Sequence, residues 1–448
     1  MKRADFLKSV GLATAVTIVK PMDIFAHIST AAPDFLFKDG DRVMFLGDSI
    51  THNGRWQTFI RNFYLTCYPE RHISYINSGI TGDSTGSVLA RMDDDVLRHR
   101  PTVVVVLLGM NNTGTSPDIF DKQMNQIVEK LDKHCNPKFI YCTTTIYDET
   151  VKLKRVSQPG KNDALAKISE LIRKRAKQSN SLLVEFYQPM LSLNAKLQKN
   201  DPTYTIIGPD RIHPLLDGHM LMAYYFIKAQ HADKKHSEIA LMWNRKRAIK
   251  KYNVDVFKLN ADQTALSFST KEKMMPYPIP SHIKSVETWV PIKNELNRQL
   301  LKVNDVPEGN YQLFIDQIEV GSFNSVALKS GINLGNLSQS PQYKQALAIY
   351  DITSSIADKA SRLRTLLKVK QMLKKDKIDQ TDSAALEAYK IKQAKALPFY
   401  GIIIGTYIEN KGKEPQILQE INDLEKSLLP LMEIKDHHYL IKKISNKL

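Results

Sequence analysis

Val103-Val104-Val105-Val106-Leu107-Leu108, running into Gly109-Met110-Asn111-Asn112, decides how this chain folds. The apolar run does not alternate, so neither face of the strand is left for water. That is the pattern of a central strand in a parallel sheet covered on both sides. Outward from it, short apolar stretches alternate with amphipathic ones. Towards the N-terminus lie Ser87–Arg98 with helical spacing, Ile73–Ile76 as a strand, Trp56–Tyr68 as a helix and Val43–Leu46 as a strand ending at Gly47. Towards the C-terminus lie a helix over Asp118–His134 entered through Pro117, a strand at Phe139–Cys142, a helix over Asn162–Gln178 and a strand at Leu182–Val184. Helices over Leu191–Gln198 and Asp217–Ala229 close the region. Such alternation predicts right-handed crossovers and an α/β/α sandwich around a parallel sheet. Ligands bind at the carboxyl ends of the strands in such sheets, which says where to look for chemistry.

Four segments at the ends of these elements carry reactive side chains. Gly47-Asp48-Ser49-Ile50-Thr51 follows the first strand and exposes a serine at a strand-to-helix turn, where backbone N–H groups converge. Asn77-Ser78-Gly79-Ile80-Thr81-Gly82 follows the second, and a glycine there lets a backbone N–H approach a ligand. Asn111, after the central strand, offers a side-chain N–H to a developing oxyanion. Asp210-Arg211-Ile212-His213 places a carboxylate three residues before an imidazole, so that one loop can hold an acid that orients a base. Each segment alone is compatible with a turn glycine, a capping asparagine or a solvated loop histidine. Their specificity lies in occurring together, in this order and at these strand ends.

As a set, Ser49, Gly79, Asn111 and His213 resemble the SGNH hydrolase family, also called GDSL-type esterases and lipases. The resemblance covers about residues 42–230. It implies a flavodoxin-like, five-stranded parallel sheet in three layers, with a Ser49–His213–Asp210 triad. It also implies an oxyanion hole from the backbone N–H groups of Ser49 and Gly79 and the side chain of Asn111. It calls for no cofactor and no metal. The sequence departs from the family at Asn112, where an aspartate is usual, so local hydrogen bonding is expected to differ there.

The rest of the chain sets the context. With 448 residues, 42% hydrophobic and 25% charged, it is long enough for a large catalytic domain (34–235) and an accessory region (236–448). Residues 1–26 read as an export signal: Lys2 and Arg3, an apolar run over Val10–Val19, then Pro21 and small residues. Arg3-Ala4-Asp5-Phe6-Leu7-Lys8 is similar to a twin-arginine signal with Ala4 in place of the second arginine. The expected destination is the periplasm or the cell exterior, and no later stretch reads as a transmembrane segment. The cysteines Cys67, Cys135 and Cys142 match neither a disulfide framework nor a metal spacing. Beyond residue 235 a basic helix is expected over Leu241–Lys251, short strands over 254–325 with a hairpin around Asp316, and helices over 341–448. The net charge of +16 fits solvated helix faces, or attraction to an anionic polysaccharide or cell surface; no nucleic-acid motif accompanies it.

These readings converge on a secreted esterase whose substrate is an acylated small molecule or polysaccharide. Acetyl removal from carbohydrate is the first expectation. A lysophospholipase or thioesterase, or a non-catalytic glycan-binding protein, is the alternative. Trp56 is expected in the core of its helix and His52 at the rim of the site.

Overall fold

The structure is a computed structural model that describes residues 35–154, 156–232 and 235–444; the expected export signal lies outside them. Strands β1 (Arg42–Gly47), β2 (Ser74–Gly79), β3 (Val103–Leu107), β4 (Lys138–Cys142) and β5 (Leu182–Val184) form one sheet in the order β2-β1-β3-β4-β5. Every pairing in it is parallel. All five residues of β3 are buried, as its unbroken apolar run requires. The helices are α1 (Ser49–His52), α2 (Arg55–Cys67), α3 (Thr85–Ala90), α4 (Pro117–Cys135), α5 (Lys161–Gln178), α6 (Tyr187–Gln198) and α7 (Leu216–Ala229). One face of the sheet packs through Val43, Phe45, Val105 and Ile140 on Trp56, Phe63 and Phe226. The other packs through Met44, Leu46, Val104 and Val106 on Met92, Phe120, Met124 and Ile172. Two buried faces make the three-layer α/β/α fold that the sequence pattern implied. Trp56 is fully buried, with edge-on contacts to Phe45 and Phe186.

Two boundaries in this domain differ from the sequence reading. The helix expected over Ser87–Arg98 is α3, then a wide π-helical turn at Met92–Val96 and a short 3-10 turn to His99. The strand expected to stop at Ile76 runs on to Gly79. Its last residues are polar and small, which hides a strand from a hydrophobicity pattern, yet Ser78 and Gly79 keep register with Leu46 and Gly47.

Beyond residue 235 the chain builds two further sheets. β6 (Lys235–Met242), β7 (Arg247–Tyr252), β8 (Val254–Ala261) and β9 (Ala265–Glu272) come first, followed by the short helices α8 (Val286–Trp289) and α9 (Ile292–Leu296). Then come β10 (Arg298–Asn304), β11 (Asn310–Ile315), β12 (Ile318–Asn324), α10 (Ser325–Ser330) and β13 (Ile332–Asn333). Helices α11 (Pro341–Asp376), α12 (Ser383–Ala396), α13 (Pro398–Asn410) and α14 (Glu414–Met432) follow, and β14 (Asp436–Lys443) ends the described chain. The sheet orders are β13-β10-β6-β7 and β12-β11-β14-β9-β8. The expected hairpin around Asp316 is present as β11–β12, with Asp316 and Gln317 at positive φ.

The basic helix expected over Leu241–Lys251 is instead the hairpin β6–β7. β7 is an edge strand rich in Arg247, Lys250 and Lys251, and cations on an edge oppose unwanted strand pairing. Read without its partner, that run looks like a charged helix. The expectation of helices through to the C-terminus fails at β14. There His437, Tyr439 and Ile441 point inward in alternation, and the strand inserts between β11 and β9.

Helix α11 packs against the parallel α/β domain. Ser340 caps it by accepting a bond from the N–H of Tyr343, and Pro341 occupies its first turn. Its N-terminal half lies along α2: Tyr350 stacks on Phe59 with ring centres 5.8 Å apart, Asn62 Nδ2 donates to Thr353 Oγ1 at 2.9 Å, and Arg55 pairs with Asp358 at 2.7 Å. Ser340→Ala is expected to destabilise the protein by about 1 kcal/mol, read as a lower urea midpoint with an unchanged slope.

Candidate active site

Ser49 opens α1 directly after β1. Asp48 caps this helix, its Oδ1 accepting from Ile50 N at 3.0 Å. Gly47 is required at the turn because a Cβ there would lie 2.2 Å from Thr51 Oγ1 and 2.9 Å from the Leu107 carbonyl. No side chain larger than hydrogen allows β1, β3 and α1 to meet so closely. Asp48 is buried, and burial pushes its carboxyl up to about 7; the bond from Ile50 and the field of His213 oppose that rise.

His213 reaches Ser49 from the loop before α7. Its Nε2 lies 2.7 Å from Ser49 Oγ, and its Nδ1 lies 2.5 Å from Asp210 Oδ2. The other carboxylate oxygen, Oδ1, accepts the backbone N–H groups of Ile212 and His213 at 3.0 and 2.9 Å. Partial burial raises the Asp210 carboxyl, but the bonds from the His213 ring and from the two backbone N–H groups outweigh it and hold the group at about 2. One four-residue loop thus fixes a carboxylate and the imidazole it orients, and that imidazole reaches the serine hydroxyl at the start of α1.

The structure brings Asn111 to the same rim. Its Nδ2 donates one hydrogen to the Asp83 carbonyl at 3.0 Å, and the second hydrogen has no protein acceptor among the described residues. Asn112, the departure from the family pattern, is buried. It accepts from Thr85 N at 3.2 Å and donates to Thr85 Oγ1 at 2.9 Å, which an ionised aspartate could not do.

Gly79 is a correction. It is still part of β2, and its N–H donates to Asn77 Oδ1 at 2.9 Å. Ser74 and Ile80 turn their N–H groups to β1, bonding Asp41 O and Gly47 O, so the odd-numbered Gly79 turns its own to the outer edge. The backbone donor that the turn leaves over is Gly82. Ile80–Asp83 is a β-turn closed by Asp83 N to Ile80 O at 3.1 Å, with Gly82 third at φ +80°. Thr81 N donates to His52 Nδ1 at 3.1 Å, whereas Gly82 N has no acceptor among the described residues. Because β2 runs three residues past its expected end, the turn moves from the first glycine to the second.

Sequence reading also missed what holds this turn. Arg91, Asp83 and Asp95 are buried together. Arg91 Nε bonds Asp83 at 2.7 Å, its Nη1 bonds Asp95 at 2.6 Å and its Nη2 bonds the Ser78 carbonyl at 2.8 Å. From α11, Arg364 bonds both oxygens of Asp95 at 2.7 and 2.6 Å and the Gly79 carbonyl at 3.1 Å. His52 is not an exposed rim residue but a buried connector, its Nε2 3.0 Å from the Ser361 carbonyl and 3.1 Å from Thr365 Oγ1. Burial lowers its pKa to about 4, so it is neutral at ordinary pH. Nothing local marks Arg364 or Thr365, which lie more than 260 residues from their partners. Among the described residues no cluster of His, Cys, Asp or Glu has the arrangement to hold a metal ion, and no helix is long and apolar enough to cross a membrane.

Comparison with known proteins bears on the same region. The GDSL-like lipase/acylhydrolase family model matches residues 45–221, which include Ser49, Asn111, Asp210 and His213. An acetylxylan esterase of Geobacillus stearothermophilus is 22% identical over 228 residues, covering 46% of this chain and 98% of that protein. A crystal structure of that esterase aligns over 44% of this chain and 96% of its own, with a TM-score of 0.38. A solved gut microbial diltiazem-metabolizing enzyme aligns over 91% of this chain and 99% of its own, with a TM-score of 0.81 and 28% identity. That likeness therefore extends past the parallel sheet into the accessory sheets and helices. By its parallel α/β fold and the family-model match, the domain around residues 45–221 is of the SGNH (GDSL-like) hydrolase type, and that homology supports a carboxylic ester hydrolase.

Proposed function

We propose that this protein is an exported serine esterase that removes small acyl groups, acetyl foremost, from carbohydrate. The observation that carries the mechanism is the line Asp210–His213–Ser49, with hydrogen-bond distances of 2.5 and 2.7 Å, beside N–H groups of Gly82 and Asn111 that have no acceptor among the described residues. In the proposed reaction Ser49 Oγ attacks the ester carbonyl while His213 Nε2 takes its proton. Asp210 keeps the imidazole in the tautomer that receives it and stabilises the imidazolium. The carbonyl oxygen becomes an oxyanion facing the N–H groups of Ser49 and Gly82 and the free N–H of Asn111. The tetrahedral intermediate collapses, His213 protonates the departing alkoxide, and an acyl-Ser49 remains. Water then attacks the acyl carbon with His213 as base, releasing the acid and restoring the serine. Gly82 replaces Gly79 in this account because its N–H is the unspent one.

The acetyl and carbohydrate assignments are supported by the acetylxylan esterase relative and by the expected export signal. Hydrolysis of 4-nitrophenyl esters of increasing chain length, set against release of acetate from acetylated xylo-oligosaccharides, tests them. The expected result is a rate that falls from acetate to octanoate and measurable acetate release from the oligosaccharide. A preference for long acyl chains would favour the lysophospholipase reading. No turnover of any ester would leave the glycan-binding reading.

A further inference from the structure

Lys368 stands apart from the other charged groups near the site. It lies on α11, one turn beyond Arg364. Among the described residues, and leaving aside the adjoining Thr81 and Asp83, its ammonium is the one group within 4 Å of the Cβ position built on Gly82, at 3.8 Å. Gly82 is the residue whose N–H is unspent, and Asp83 next to it receives Asn111. The carboxylates of this corner already have their partners. Asp83 is bonded by Arg91, and Asp95 by Arg91 and Arg364. Lys368 itself is partly buried and has no hydrogen bond or ion pair among the described residues. Burial lowers its pKa and Asp83 opposes that, so the ammonium is held where water solvates it incompletely. Its helix cannot easily carry it away, because His52 and Arg364 tie α11 to the same turn.

We propose that Lys368 binds an anionic group of the substrate, so that the preferred esters are O-acylated acidic sugars, uronates, rather than neutral ones. This rests on the esterase reading above and specifies its substrate class. A carboxylate on the sugar would replace the missing hydration of Lys368 while the ester carbonyl sits against Gly82. An ammonium is a point charge that a flexible stem can aim, which suits an anion whose position varies among sugar units. A charge-assisted bond of this kind gives about 10–100-fold discrimination between the charged and the neutral substrate.

The test compares mono-O-acetylated methyl glucuronosides with the matching methyl glucosides, which differ only at C6. The wild-type protein is expected to favour the uronates about 10–100-fold in kcat/KM, mainly through KM, and less at high salt. Lys368→Met should bring the ratio towards one, and Lys368→Arg should keep most of it. A ratio near one in the wild type, or one unchanged in Lys368→Met, overturns the proposal. Calorimetric titration of Ser49→Ala with methyl glucuronoside and methyl glucoside separates recognition from chemistry. Tighter binding of the glucuronoside, lost in the Ser49→Ala/Lys368→Met double variant, upholds Lys368 even if no ester is turned over. Equal binding of the two sugars overturns it even if the esterase reading stands.

Discussion

Ser49→Ala is expected to lower kcat/KM for 4-nitrophenyl acetate by about 10⁴–10⁶-fold without unfolding the protein. Among the described residues the serine hydroxyl bonds His213 Nε2, while the Asp48 cap on α1 is made to Ile50 N and does not involve that hydroxyl. Asp210→Asn should lose about 10⁴-fold, because an amide no longer enforces the tautomer that presents a basic Nε2. The pH dependence sharpens this test. Asp210 is held at about 2, below its ordinary 3.8, so it is a carboxylate in the folded protein from about pH 4 upward. Its contribution to folding is complete above the unfolded value and is lost only as pH falls through the folded one. No step in the pH–rate profile above about pH 4 should therefore belong to Asp210. Equal activity of Ser49→Ala and the wild type would sink the assignment of the nucleophile.

The second large effect is expected at Arg364, far from the reacting atoms in sequence and on the other part of the chain. Arg364→Ala should cost about 3–5 kcal/mol of stability, the usual penalty for stripping one partner from a buried ion pair. The side chains of Arg364 and Asp95 are only 8% and 2% exposed, so water cannot replace the lost bonds. Burial alone would raise the Asp95 carboxyl, but the bonds and charge of Arg364, with Arg91 and Arg98, bring it down to about 2. Its folded pKa is thus depressed, and the pair stabilises the protein above about pH 4 and ceases to do so as pH falls through about 2. In Arg364→Ala that acid-side loss of stability should flatten, which urea unfolding at a series of pH values would show. Arg364 also holds the Gly79 carbonyl, three residues before the proposed oxyanion donor Gly82. The surviving folded fraction should accordingly show a lower kcat with little change in KM, partly restored in Arg364→Lys. An unchanged kcat would reduce Arg364 to a purely structural residue.

The sequence by itself determined the parallel sheet, because the polarity of each segment is local information. The apolar runs of β1, β3, β4 and β5, Val103–Leu107 above all, are satisfied between two helical layers. It also located the serine, the Asp-x-x-His loop and Asn111, whose roles depend on position at strand ends. What it could not supply was partnership over long distances. The polar end of β2 is a strand only because Ser78 and Gly79 lie beside Leu46 and Gly47, and that extension moves the free N–H from Gly79 to Gly82. The lysine-rich stretch at Arg247–Lys251 is an edge strand only because β6 is beside it, and β14 is a strand only because β11 and β9 leave a gap. The wall that α11 contributes through His52, Arg364 and Lys368 joins residues some 270–310 positions apart. Hydrogen bonding and desolvation act over a few ångströms of space whatever the separation along the chain, so only the tertiary structure decided which cation stands over the proposed oxyanion site.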